Sequence, residues 1–180
     1  MILQSHHFDH PTLKNFHFFR EDTSLPVVKE ALTEISMDLN LFLGVLNGAE
    51  IRSQEDLLSN LWSVLRFPAF DGGGAYNDGG GAYNWDSASD WIGDLSWIEE
   101  QSNGIIILYI EPKALFVNQA DIFGLFLDII GDRSEARMSN GPPLHFVAGP
   151  INHRINNFLN ILAVREHLCD ECLYGWHSPV

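Results

Sequence analysis

Two patterns of hydrophobic and polar positions organise this chain. The first is the short apolar run. Leu41 to Leu46 (LFLGVL) is closed by the turn pair Asn47-Gly48, and Gly104 to Ile110 (GIIILYI) and Leu144 to Ala148 (LHFVA) repeat the theme. Runs of this length and composition predict strands buried on both faces, the kind parallel sheets use. The second is helical spacing. Val27, Val28, Ala31, Leu32 and Ile35 predict an amphipathic helix, with Ser24 as cap and Pro26 in its first turn. Leu57, Leu58, Leu61, Trp62 and Leu65 predict a second, from Ser53 to Leu65. Ser53 and Asp56 stand at near capping-box spacing, and Phe67-Pro68 ends that helix. Trp85, Ala88, Trp91, Ile92, Leu95 and Ile98 share one face of a third, predicted over 85–98. Shorter helices are expected over about 112–117 and 121–130, then a polar link over 132–143. Ile155, Phe158, Leu159 and Leu162 predict one long helix over about 152–173. Alternation of strands and helices implies an α/β fold: a small three-stranded parallel sheet with right-handed crossovers, packed with helices.

Residues 1–23 fit neither pattern. They are rich in His and Phe and are expected to form a surface segment. His6, His7, His10 and His17 supply metal-ligand types, but their spacing fixes no ligand geometry.

Composition narrows the class. With 180 residues, 46% hydrophobic and 12% aromatic, the chain can bury a core and is not a disordered acidic tail. Its net charge of −14 excludes a phosphate-backbone binder of the usual kind, so direct nucleic-acid binding is not expected. It also disfavours attachment to anionic membranes. No stretch approaches the ~18 apolar residues a membrane span needs. The N-terminal residues lack the pattern of a secretory signal, and two cysteines are too few for a disulfide scaffold, so a cytoplasmic location is expected.

The charge is unevenly placed. Between Arg66 and Lys113 there is no Lys or Arg, but there are eight acids: Asp71, Asp78, Asp86, Asp90, Asp94, Glu99, Glu100 and Glu111. On the predicted 85–98 helix, Asp86, Asp90, Asp94 and Trp97 fall opposite the apolar face. Like charges at i, i+4 repel by a few tenths of a kcal/mol, so folding alone gives no reason for the stripe. Ahead of it, DGGGAYN occurs twice in tandem over 71–84. Six glycines in fourteen residues describe a flexible loop, read here as a tolerated duplication. His167, Cys169, Cys172 and His177 suit zinc by type, but there is a single CxxC pair late in a predicted helix. Whether they bind metal is left open, and no cofactor is implied.

The order of these features resembles the barstar-like family of small intracellular ribonuclease inhibitors. The resemblance runs from Leu41 to Gly149. It rests on LNGAEIRSQEDLLSNLWSVLRFP (46–68), on Asn84-Trp85-Asp86 followed by Asp90, and on the later strands GIIILYI and LHFVA. It divides the chain into an N-terminal extension (1–40) carrying one amphipathic helix, a barstar-like domain (41–149) and a C-terminal helical extension (150–180). The resemblance implies an inhibitor rather than an enzyme. It implies a basic nuclease as partner, with Asp86 and Asp90 inserted into that enzyme's phosphate site. Phe70 matches a stacking aromatic, Gly72 and Asn84 match the contact loop, and Asp128 is aligned with a later acidic contact. Tyr76, Tyr83, Asp94 and Trp97 complete the expected interface. Ser89 stands where the family has tryptophan between the two aspartates. Two other readings remain: a binding module with a non-nuclease partner, and an enzyme using Asp86 and Asp90 as paired carboxylates. The second lacks a nearby His, Lys or nucleophile in the sequence. Oligomeric state is not legible.

Overall fold

The computed structural model describes Phe8 and residues 15–67, 84–137 and 141–161. Four strands are present: β1 (Phe16–Arg20), β2 (Phe42–Asn47), β3 (Ile105–Ile110) and β4 (Leu144–Ile151). They form one sheet in the order β1-β4-β3-β2, and every neighbouring pair is parallel. The three strands expected from the apolar runs are all there. The fourth, β1, corrects the expectation of a three-stranded sheet. It comes from the segment read as a surface stretch.

The seven helices described are α1 (Leu25–Leu39), α2 (Gln54–Val64), α3 (Trp85–Asp94), α4 (Ser96–Glu99), α5 (Lys113–Asn118), α6 (Ala120–Arg137) and α7 (His153–Ile161). The two-residue period of the strands sorts them onto two faces. Ile105, Ile107, Tyr109, Leu144, Phe146 and Ala148 join Phe16 and Phe18 in the larger core. Leu57, Leu61, Ile92, Phe126 and Ile155 pack into that same core from the helices. Ile106, Leu108, Ile110, Val147 and Phe19 face the other way, where Val28, Leu32 and Ile35 of α1 cover them.

Local chemistry sets the boundaries. Ser53 and Asp56 close a capping box at the start of α2: the Ser53 hydroxyl accepts from the Asp56 amide, and the Asp56 carboxylate accepts from the Ser53 amide. Gly48 turns where any Cβ would stand 2.5 Å from the carbonyl oxygens of Ile110 and Glu111, so no larger residue fits. The first half of the expected link over 132–143 is helix, because α6 runs on to Arg137. In its last turns the buried positions are held by the polar residues Ser134 and Arg137. Ser134 Oγ donates to the Leu144 carbonyl and accepts from Asn15 Nδ2, both at 2.5 Å, which ties α6 to β4 and to the residue before β1. Polar residues at core positions broke the apolar spacing, so the pattern stopped early. Of the helix expected over 152–173, α7 accounts for His153–Ile161; residues 162–173 lie outside the described residues.

The structure also corrects the histidines. His17 is buried in β1 beside His145 of β4, with their ring nitrogens 3.5 Å apart. The Phe8 ring lies against both, with centroids 4.9 and 5.0 Å away. His6, His7 and His10 lie outside the described residues, as do Cys169, Cys172, His167 and His177. Among the described residues no group of three or more metal-ligating side chains occurs. Nor is any helix among them long and apolar enough to cross a membrane.

Candidate protein-binding face

The acidic stripe is carried by α3. Asn84 caps the helix: its backbone is extended, and its Oδ1 accepts from the Ser87 amide at 2.8 Å. Ala88 and Ile92 are buried, and Trp85 and Trp91 are half-buried. Trp85 tilts against Phe126 of α6, and Trp91 stacks on Phe67. The apolar side therefore seats α3 as the spacing predicts. Asp86, Asp90 and Asp94 are all exposed on the other side, at one-turn intervals.

Trp97 departs from the expected helix face. The helix ends at Leu95, which adopts the left-handed conformation (φ 44°) and buries its side chain completely. Burying Leu95 turns the chain, and α4 starts in a new direction. Trp97 is half-buried as a result, with its indole N–H donating to the Leu65 carbonyl at 2.9 Å. Its ring lies edge-on to Trp91 and Phe67. It braces the face from behind and does not extend the carboxylate stripe.

Three further expected residues can be placed. Asn84 is exposed but works as a cap. Asp128 is exposed on α6, and partial burial followed by the charge of Asp132 one turn on raises its carboxyl above the ordinary range. Asp94 stays beside its helix end. Phe70, Gly72, Tyr76 and Tyr83, with the whole DGGGAYN duplication, lie outside the described residues.

Two residues missed by the sequence reading organise this face. Arg133 and Arg137 stand one turn apart on α6, which packs against α3. Arg137 Nη1 donates to the carbonyls of Gly93 (2.9 Å) and Asp94 (3.2 Å), the open C-terminal end of α3. Burial lowers the Arg137 pKa, and the Asp94 charge opposes that shift. Arg133 Nε and Nη2 both donate to Ser89 Oγ, and Nη2 lies 3.6 Å from the Asp90 carboxylate. Their i, i+4 spacing was visible, but it fell in a stretch read as a link.

Elsewhere, a cleft of about 440 Å³ opens beside the carboxyl ends of the strands, lined by Glu21, Ala49, Glu111, Lys113, Val117 and Pro150 among others. Asp86 and Asp90 are not part of it. Both are exposed on the outer side of α3, where a large partner can reach them.

Comparison with known families matches residues 41–149 to the family described as barstar (barnase inhibitor). Comparison with curated proteins finds no match. The matched segment holds β2, β3, most of β4, the capped α3 and its acidic side, and it covers more than half of the 180 residues. The chain therefore belongs to the barstar family.

Proposed function

We propose that this protein blocks a basic ribonuclease toxin, as an immunity protein does, by docking α3 and the preceding loop over the enzyme's active site. The observation that carries the proposal is the α3 stripe: three exposed carboxylates in a row, on a helix seated by its apolar side, in a member of a family of barnase inhibitors. A ribonuclease site is built from cations that hold a polyanion. Carboxylates at one-turn spacing can stand in for successive phosphates there. Asp90 and Asp86 take the buried centre of the contact. Asp94, Asp128 and the aromatic residues Phe70, Tyr76, Tyr83 and Trp97 form or support its surroundings, with Gly72 and Asn84 shaping the loop.

The surplus of negative charge speeds encounter, and salt weakens that steering. The inhibitor works without cofactor, and the nucleic acid is excluded by the enzyme's occupied site. Truncating one member of a desolvated charge pair costs about 2–5 kcal/mol, a range drawn partly from complexes of this family. Asp86→Ala with Asp90→Ala should therefore weaken inhibition of barnase at least about thirtyfold and flatten its dependence on salt. Inhibition and salt dependence equal to those of the unaltered protein would show that this face is not the docking surface.

A further inference from the structure

We propose that Arg133 is a positioning residue of this face: anchored on Ser89, its guanidinium holds the Asp90 carboxylate in the orientation that a cationic partner meets. The inference rests on the docking role given to α3 and adds to it a residue from α6. Nε and Nη2 of Arg133 donate to one acceptor, Ser89 Oγ, at 3.1 and 2.8 Å. The same Nη2 forms an ion pair with the neighbouring residue, with Asp90 Oδ1 at 3.6 Å. One planar fork thus spans two consecutive residues of α3.

The surroundings leave room for it. Gly93 lies one turn from Ser89, and a Cβ there would come within 3.3 Å of Arg133 Cδ and Nη1. Serine at 89 is small enough to admit the guanidinium and supplies its acceptor. Arg137 pins the end of the same helix through the Gly93 and Asp94 carbonyls, which fixes the register between α6 and α3.

An exposed ion pair by itself contributes little, because two mobile side chains must be ordered together. Here the Ser89 bonds have already ordered the arginine, so only Asp90 remains to be oriented. The Asp90 side chain is still 84% exposed. It can give one oxygen to Arg133 and offer the other to a partner. Arg133 also adds a positive charge beside the stripe, so it slows encounter while it prolongs the complex.

The test separates these effects. Three-bond couplings to Asp90 Cγ report its χ1 populations in the free protein, and the hydrogen exchange of Arg133 Nε–H reports the anchor. The unaltered protein should show one dominant Asp90 rotamer and a protected Nε–H. Ser89→Ala, which changes no charge, should average the rotamers and speed the exchange at least about tenfold, as a lost anchor requires. Arg133→Lys keeps the charge without the fork and should leave Asp90 averaged. Unchanged couplings in Ser89→Ala and Arg133→Gln would overturn the proposal. With barnase as probe, Ser89→Ala should raise the dissociation rate about three- to tenfold and leave association within about twofold. Arg133→Gln should speed both steps at low salt. If Asp90→Ala weakens binding while Ser89→Ala and Arg133→Gln leave dissociation unchanged, the positioning role is wrong and the docking face stands. If Asp90→Ala changes nothing, the docking face is wrong, and the couplings in the free protein still decide the role of Arg133.

Discussion

At the scale of single residues, the buried His145 imidazole makes stability depend on pH. His145 is fully buried in β4, and that burial, with the neighbouring His17 imidazole, lowers its pKa from 6.5 to about 3. The native state therefore holds it neutral. The unfolded chain takes up a proton once pH falls below 6.5, and the native state does not follow until about 3. More protons are bound by the unfolded state throughout that window, so stability falls as pH falls through it. The slope is at most about 1.4 kcal/mol per pH unit. Urea denaturation at pH 7.0, 6.0 and 5.0 checks this above the main carboxylate range. His145→Leu should flatten the profile between pH 6 and 5. An identical slope in the variant would place the pH dependence on other groups.

At the scale of elements, α3 is held at both ends by side chains and in the middle by packing. Asn84 closes its N-terminus, Arg137 takes its last carbonyls, and Ala88 and Ile92 fill the seam against the core. Asn84→Ala should cost about 1 kcal/mol, a drop of about 2–4 °C in Tm for a chain this long. Asn84→Asp keeps the acceptor and adds a favourable charge at the helix start, so it should restore that stability. If thermal melts showed both variants equally destabilised, Asn84 would matter for something other than its cap. Elements of this kind were legible in advance where the signal was local. The Ser53–Asp56 box, the Trp85–Ile92 apolar side and the β3 run all read correctly, because a few adjacent residues carry each one. The break at Leu95 was not legible, since it depends on burying one leucine against distant residues. The last turns of α6 were missed for a related reason: Ser134 and Arg137 occupy core positions only because Leu144, Asn15 and the end of α3 stand ready to receive their hydrogen bonds.

At the scale of the whole molecule, the sheet is completed by a strand from outside the family-matched segment. β1 pairs with β4 from a position about 130 residues earlier in the chain, with Phe16 opposite Phe146 and Phe18 opposite Ala148. Its sequence, Phe-His-Phe-Phe-Arg, lacks the alternation of a half-exposed strand because both faces are covered. The buried His17 hid it further. Phe16, Phe18 and Phe19 are each at most 5% exposed, and they serve both cores. Burying one such side chain contributes about 1.5–3 kcal/mol, so the three together rival the 5–15 kcal/mol of net stability usual for a domain. Removing the strand would also bare the edge of β4, a row of unpaired backbone groups open to another chain. A protein beginning at residue 24 should therefore lose its cooperative urea transition or scatter light as aggregate, although it keeps all of residues 41–149 and the entire acidic face. Phe16→Ala, with the strand retained, should fold and lose about 3–5 kcal/mol. If the shortened protein kept the urea midpoint of the full chain, β1 would be dispensable, and the family-matched segment would supply the stability that holds α3 in place.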